Sequence, residues 1–194
     1  MQFKIGKTNI KISFSFTALV LFYFISDKSN FFIVALLCAA IHEAIHIFFI
    51  YAFTGQISSI SLNLFGADIK RRTELITSNI KEAVIAVSAP IFNLILFLIF
   101  NNSGERYNAF SQMNLSLGLV NILPFYSFDG GCFVKYLLLE KLDDRTTDKI
   151  VFSISLVIAI LFCILSVYLS VTKKEFHLSV LISLFMVLSL VFKK

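Results

Sequence analysis

Two of the three histidines in the chain stand four residues apart, with a glutamate directly after the first: His42-Glu43-Ala44-Ile45-His46. On a helix, positions i and i+4 share one face. Two imidazoles so placed can hold one zinc ion, and Glu43 can reach a water on that ion as general base. Zinc lowers the pKa of such a water from roughly 15.7 to about 7, so Glu43 has only a modestly basic proton to accept. The plain alternative is a pair of histidines hydrogen-bonded to their neighbours. The motif lies inside an apolar run, and cost decides there. An acidic group at mid-span costs about 2.5–3.5 kcal/mol. His42, Glu43 and His46 together ask for a strong compensating partner, which a metal supplies.

A catalytic zinc site needs a third protein ligand and one open position. His177 opens the last apolar run on the far side and fits poorly. Cys38 lies one turn before His42, but a thiolate is an uncommon extra ligand in a hydrolase. Glu82 begins the third run and could serve, as a late glutamate does in other HExxH enzymes. Asp129 fits best, although Asp129-Gly130 alone reads as an ordinary turn. Depth supports Asp129. The second run enters from outside near Asn30, which puts His42 and His46 in its cytoplasmic half at about 1.5 Å per residue. The fourth also starts outside, near Tyr107, and delivers Asp129 to the cytoplasmic side.

The elements that must position these residues follow from hydropathy. The chain has 194 residues, 58% of them hydrophobic, with a mean hydropathy of +0.86. Soluble domains are about 45–50% apolar, and the excess here lies in long runs. The expected fold is an all-α polytopic membrane protein in one domain, 1–194. It has six transmembrane helices over about 12–26, 30–53, 82–100, 107–123, 150–171 and 177–192. Ala89-Pro90 interrupts the third. Residues 57–69 partly alternate apolar with polar and predict a short membrane-associated strand pair. Such backbone survives at membrane depth only where protein or a wet cavity satisfies it. Residues 124–149 carry Asp129-Gly130-Gly131 and a short helix to Glu140. Lys4, Lys7 and Lys11 precede the first run as in a signal peptide, but no small-residue cleavage site follows. An uncleaved first span is expected.

The net charge of +5 is not a nucleic-acid signal, because the basic residues sit between apolar runs and form no patch. With six spans, every Lys and Arg falls on the side of the termini except Lys28, Arg106, Lys173 and Lys174. The positive-inside bias then places both termini in the cytoplasm. The expected location is a bacterial cytoplasmic membrane. Trp is absent, so Tyr and Lys must anchor the helix ends. Cys38, Cys132 and Cys163 form no CxxC pair and read as small apolar fillers.

Three motifs in order carry a family resemblance: His42-Glu43-x-x-His46 in the second span, Pro90-x-x-Asn93 in the third, and Asn121-x-x-Pro124 with Asp129-Gly130 after the fourth. Together they resemble the site-2 protease family of intramembrane zinc metalloproteases, over nearly the whole chain. Size and spacing look most like its six-span sporulation branch, stage IV sporulation protein FB. The resemblance implies His42, His46 and Asp129 as ligands of one Zn2+ per chain and Glu43 as the catalytic base. It implies that Asn93 and Asn121 bind substrate backbone or support the site, with helix-packing glue as the alternative. It also likens residues 57–69, Asn63 among them, to a strand pair whose edge pairs with an extended substrate. The implied partners are a membrane-bound protein substrate cut near the cytoplasmic face, a sigma-factor precursor or other regulator among the candidates, and membrane inhibitor proteins. Two departures stand out. Tyr126-Ser127-Phe128 replaces the family's second Pro and its Leu, and no CBS domain follows the sixth span, which puts control by ATP in doubt. The rival outside the enzymes is a non-proteolytic metal-binding protein or transporter, which should space polar groups through several spans.

Overall fold

The computed structural model describes residues 2–5, 8–27, 31–55, 57–63, 66–71, 78–173 and 178–191. The chain divides into two compact units, Met1–Val120 and Asn121–Lys194.

The first unit opens with strands β1 (Gln2–Ile5) and β2 (Thr8–Ile12) and helices α1 (Phe14–Ser26) and α2 (Phe31–Thr54). Strands β3 (Ile57–Asn63) and β4 (Gly66–Arg71) follow, then helix α3 (Asn79–Phe100), a 3-10 turn at Glu105–Tyr107, and helix α4 (Asn108–Ile122). Local chemistry sets the ends. The Ser13 hydroxyl accepts from the Phe16 N–H at 3.2 Å and caps α1. The Asp27 carboxylate accepts from the Phe32 N–H at 2.6 Å at the start of α2. Gly55, at φ +69°, closes α2 in the left-handed region.

The expected strand pair is present, β3 against β4, with Asn63 opposite Gly66. It is half of a larger sheet of order β1-β2-β3-β4. β1 and β2 form a second antiparallel hairpin, and β2 runs parallel to β3, with Asn9 beside Ser59 and Ile12 beside Leu62. The expected fold of helices plus two strands is therefore corrected to four strands. Residues 2–5 and 8–12, read from sequence as a basic flank and the start of a span, are strands. The β3 strand is consequently covered on both sides. The sheet's outer strands are β1 and β4.

α2 buries one stripe, Cys38, His42, His46 and Ile50, at a spacing of four. It packs on α3, whose buried face is rich in small residues, Ala83, Ala86, Ala89 and Pro90. Small residues let helix backbones approach closely in lipid. The expected interruption at Ala89-Pro90 does not occur: α3 is continuous through Pro90. A missing N–H is tolerated in a spanning helix where neighbours satisfy the freed carbonyl.

The second unit holds helices α5 (Asp129–Leu138), α6 (Asp144–Lys173) and α7 (Leu178–Val191). Its core gathers Phe125, Ala159, Met186 and Leu190. Asp143 caps α6 by accepting from the Thr146 N–H at 3.1 Å, and hydrogen bonding from the Thr146 side chain first, then from its backbone, holds the Asp143 carboxyl below the usual range.

Among the described residues, three helices are long and apolar enough to cross a membrane: α2, α3 and α6. α1, α4 and α7 have 13, 15 and 14 residues, short of the roughly 20 a bilayer core asks for. The outward faces of the long helices are apolar, with Leu98, Ile99, Ile164 and Val171 each about 60–70% exposed. A water-soluble domain rarely exposes such a surface, and lipid accounts for it.

Candidate metal centre

His42 and His46 sit one turn apart on the buried stripe of α2, with ring centroids 5.0 Å apart and planes at 86°. The Nδ1 atom of each is occupied. His46 Nδ1 lies 3.0 Å from the Ile85 carbonyl oxygen on α3. A carbonyl only accepts, so His46 Nδ1 carries the proton and Nε2 keeps its lone pair. His42 Nδ1 lies 2.6 Å from Asn93 Oδ1, also on α3. Such a partner on the far nitrogen fixes the tautomer and ring orientation of a metal-binding histidine. Glu43 follows His42 on the same helix and is half-buried.

In the second unit, Asp129 is the first residue of α5. The Asp-Gly pair is thus a helix start rather than an ordinary turn, and the glycines answer to close packing. A Cβ on Gly130 would overlap the Ile122 and Leu123 carbonyls, and one on Gly131 the Phe125 carbonyl. The preceding segment is held at several points. The Phe125 side chain is fully buried. The Tyr126 N–H donates to Ser155 Oγ at 2.8 Å, and Ser155 Oγ donates to the Val151 carbonyl at 2.7 Å. Tyr126, one of the residues that depart from the family pattern, is therefore anchored through its backbone. At the other end of α5, Lys135 pairs with Asp148 of α6 at 2.9 Å, and that bond raises the Lys135 pKa.

His42, His46 and Asp129 are the residue types that could hold a metal ion. The donor set fits the purpose. Two neutral imidazoles and one carboxylate suit a divalent ion such as zinc and leave a fourth position open. Among the described residues it is the only group of this kind, and the rival ligands Glu82 and Cys38 are not members of it. Glu82 is buried in the first turn of α3. Cys38 is fully buried beside Asn114. His177 lies outside the described residues.

The other residues singled out from the sequence are placed as follows. Asn93 is fully buried, and both ends of its amide have protein partners: Oδ1 faces His42, and Nδ2 donates to Asn114 Oδ1 at 2.7 Å. Asn121 is half-buried in the last turn of α4. Asn63 ends β3, and its side chain lies outside the described residues. Sequence reasoning missed Asn114 and the Ile85 carbonyl. A signal for Asn114 was present: Ser111, Asn114, Gly118 and Asn121 recur at helical spacing and put a small, polar stripe on one face of α4.

Comparison with known proteins bears on the whole arrangement. Residues 100–165 match the family model for Peptidase family M50. That stretch contains Asn121, Pro124 and Asp129 and leaves out the histidine motif. Among solved structures, the chain is similar to the Site-2 Protease from Methanocaldococcus jannaschii, with a TM-score of 0.68. The match covers 98% of this chain and 93% of that one at 20% identity. The chain has the fold of a site-2 protease. No curated protein sequence matches it.

Proposed function

We propose that the chain is a zinc-dependent intramembrane endopeptidase of the site-2 protease type. The observation that carries this reading is the donor set. Two histidines, each with an acceptor behind Nδ1, stand on a helix apolar enough to cross a bilayer, and an aspartate is positioned by two obligatory glycines. The match to Peptidase family M50 and the site-2 protease fold support it.

A bound zinc ion supplies Lewis acidity, which makes water a nucleophile near neutral pH and polarises a carbonyl. The protein's own residues do the rest. His42 and His46 offer Nε2, and Asp129 brings the one formal negative charge of the ligand set. Glu43 takes a proton from the attacking water as its oxygen bonds the scissile carbonyl carbon. It then passes that proton to the amine nitrogen as the C–N bond breaks. Asn93 acts as a positioning residue through His42, and Asn121 contacts or supports bound substrate backbone.

The substrate is a membrane-bound protein, cut near the cytoplasmic end of its own span. A helical peptide bond has its polar groups engaged within the helix, so the substrate unwinds locally and its freed groups need partners in lipid. A strand of the sheet offers them. β3 is paired on both sides, so of the strand pair likened to the family's the free edge is that of β4, with Asn63 at the end of β3. In this reading α1, α4 and α7 also cross, giving six spans with both termini cytoplasmic in a bacterial membrane. A sporulation role of the stage IV protein FB kind, with a sigma-factor precursor as substrate and inhibitor proteins in the same membrane, is the narrower form of the proposal.

Zinc analysis of the purified chain tests it. About one zinc per chain is expected for a single three-ligand site. His42→Ala, His46→Ala and Asp129→Ala should each weaken binding, while Glu82→Ala retains it. Zinc lost with Glu82 and kept without Asp129 would transfer the third ligand to Glu82.

A further inference from the structure

Behind His42 runs a buried chain of side chains through three helices. Asn93 on α3 faces His42 Nδ1 through Oδ1 at 2.6 Å and donates from Nδ2 to Asn114 Oδ1 at 2.7 Å. Asn114 on α4 donates from Nδ2 to the Phe110 carbonyl at 2.8 Å and to Cys38 Sγ on α2 at 3.3 Å. Asn93, Asn114 and Cys38 are all fully buried.

Direction is the informative property of this chain. An amide side chain can be turned end for end, and its orientation is known only from its partners. Here one partner is unambiguous, because the Phe110 carbonyl can only accept. Asn114 must therefore present its NH2 to Phe110, which leaves Oδ1 toward Asn93. Asn93 must answer with its own NH2, which leaves Oδ1 toward His42. His42 Nδ1 must then carry the proton, and Nε2 keeps the lone pair that a metal needs. Were Asn93 turned over, its NH2 would face His42 Nδ1 and the proton would move to Nε2, which could not then ligate. For His46 the Ile85 carbonyl sets the tautomer directly. For His42 the nearest carbonyl anchor is two side chains away.

We infer that Asn114 is a positioning residue of the metal centre, one that fixes the tautomer of His42 through Asn93 and so sets metal affinity without touching the metal. The inference rests on the zinc-site reading above, and its test separates the two. In lipid, a buried polar network of this kind has no competing water, so loss of one member leaves its neighbours unpaired.

The test measures zinc dissociation constants by chelator competition on purified full-length protein in detergent. The variants are Asn114→Leu, Asn114→Ala, Asn114→Asp, Ser111→Ala and His42→Ala. Removal of a residue that orients a metal ligand typically costs 10–100-fold in affinity. Asn114→Leu and Asn114→Ala should weaken zinc binding about tenfold, the lower end of that range, because they act through Asn93. Asn114→Asp, its carboxyl protonated in this buried setting, keeps an acceptor toward Asn93 and an O–H toward the Phe110 carbonyl, and should stay within about threefold of native. Ser111 lies one turn away on α4, is equally buried, and donates to the Phe97 carbonyl rather than into this chain of amides. Ser111→Ala should therefore leave affinity unchanged even though it disturbs packing. Leucine or alanine variants that bind like native overturn the inference, as does a Ser111→Ala loss of the same size, which would mark general packing. If the leucine variant does not fold, the alanine variant with the aspartate rescue decides alone. A native chain without zinc, or one unaffected by His42→Ala, refutes the metal centre itself, a different outcome from either of these.

Discussion

Gly131→Ala changes no ligand and no charge, yet it should disable the site. A Cβ at this position would overlap the Phe125 carbonyl, which is backbone and not a side chain that can swing aside. Phe125 cannot easily move, because its ring is fully buried and the next N–H is bonded to Ser155 at 2.8 Å. Non-bonded carbons rest at about 3.5–4.0 Å, so the start of α5, and Asp129 with it, must retreat on the order of 1 Å. Overpacking of this kind costs about 1–3 kcal/mol of stability, which a well-packed protein survives. A misplacement of about 1 Å at a reacting centre costs about 10²-fold in rate. Gly131→Ala should thus remain folded, hold zinc less tightly and cleave about 100-fold more slowly. Zinc content and single-turnover cleavage in detergent read both effects. Gly118→Ala is the matched comparison. Its Cβ would meet the Leu94 side chain, Cδ2 at 2.7 Å and Cγ at 2.8 Å, and the Pro90 carbonyl oxygen at 3.1 Å; a rotamer change at Leu94 and a shift of a few tenths of an ångström relieve these, so zinc should be retained. A Gly131→Ala protein with native zinc affinity and native rate would refute the claim that this backbone contact positions Asp129.

The zinc expectations set out above also predict that the Asp129→Ala protein stays folded, because Asp129 is half-buried and lies outside the hydrophobic core; circular dichroism beside metal analysis would show it. Topology can be checked by labelling single cysteines in intact cells. Residues 135–149 and both termini should be protected from an impermeant reagent, while positions 28, 106 and 173 react from outside. A reactive position 194 would break the six-span arrangement and the depth argument for Asp129.

The parts of this protein that were legible in its sequence are those governed by local spacing. His42 and His46 share a face because four residues make about one helical turn, and the structure keeps them on one buried stripe. The β3–β4 pair was legible from its period of two. The N-terminal hairpin was equally periodic, with Phe3 and Ile5, then Ile10 and Ile12, separated by polar residues. The basic residues Lys4, Lys7 and Lys11 drew attention to the membrane flank instead. The parallel pairing of β2 with β3 brings residue 9 beside residue 59, and no local pattern encodes a contact of that range. Asp129 was legible only from its depth and its place in the ordered motifs, since Asp-Gly alone is a common turn. What makes it a helix start is the packing of Gly130 and Gly131 on carbonyls several residues back. Asn114 carries no motif, and only the face it shares with Ser111 and Gly118 distinguishes it from a polar residue in a wet loop.

Co-expression with a panel of single-span membrane precursors, comparing the native chain with Glu43→Gln, tests the central claim most directly. Glutamine keeps the shape and leaves His42, His46 and Asp129 in place, but it cannot take a proton from water. General-base catalysis contributes about 10²–10⁴-fold. The native chain should convert a precursor to a shorter product cut near the cytoplasmic end of its span. The Glu43→Gln chain, still carrying about one zinc, should leave that precursor intact. The same product formed at the same rate by Glu43→Gln would contradict the account.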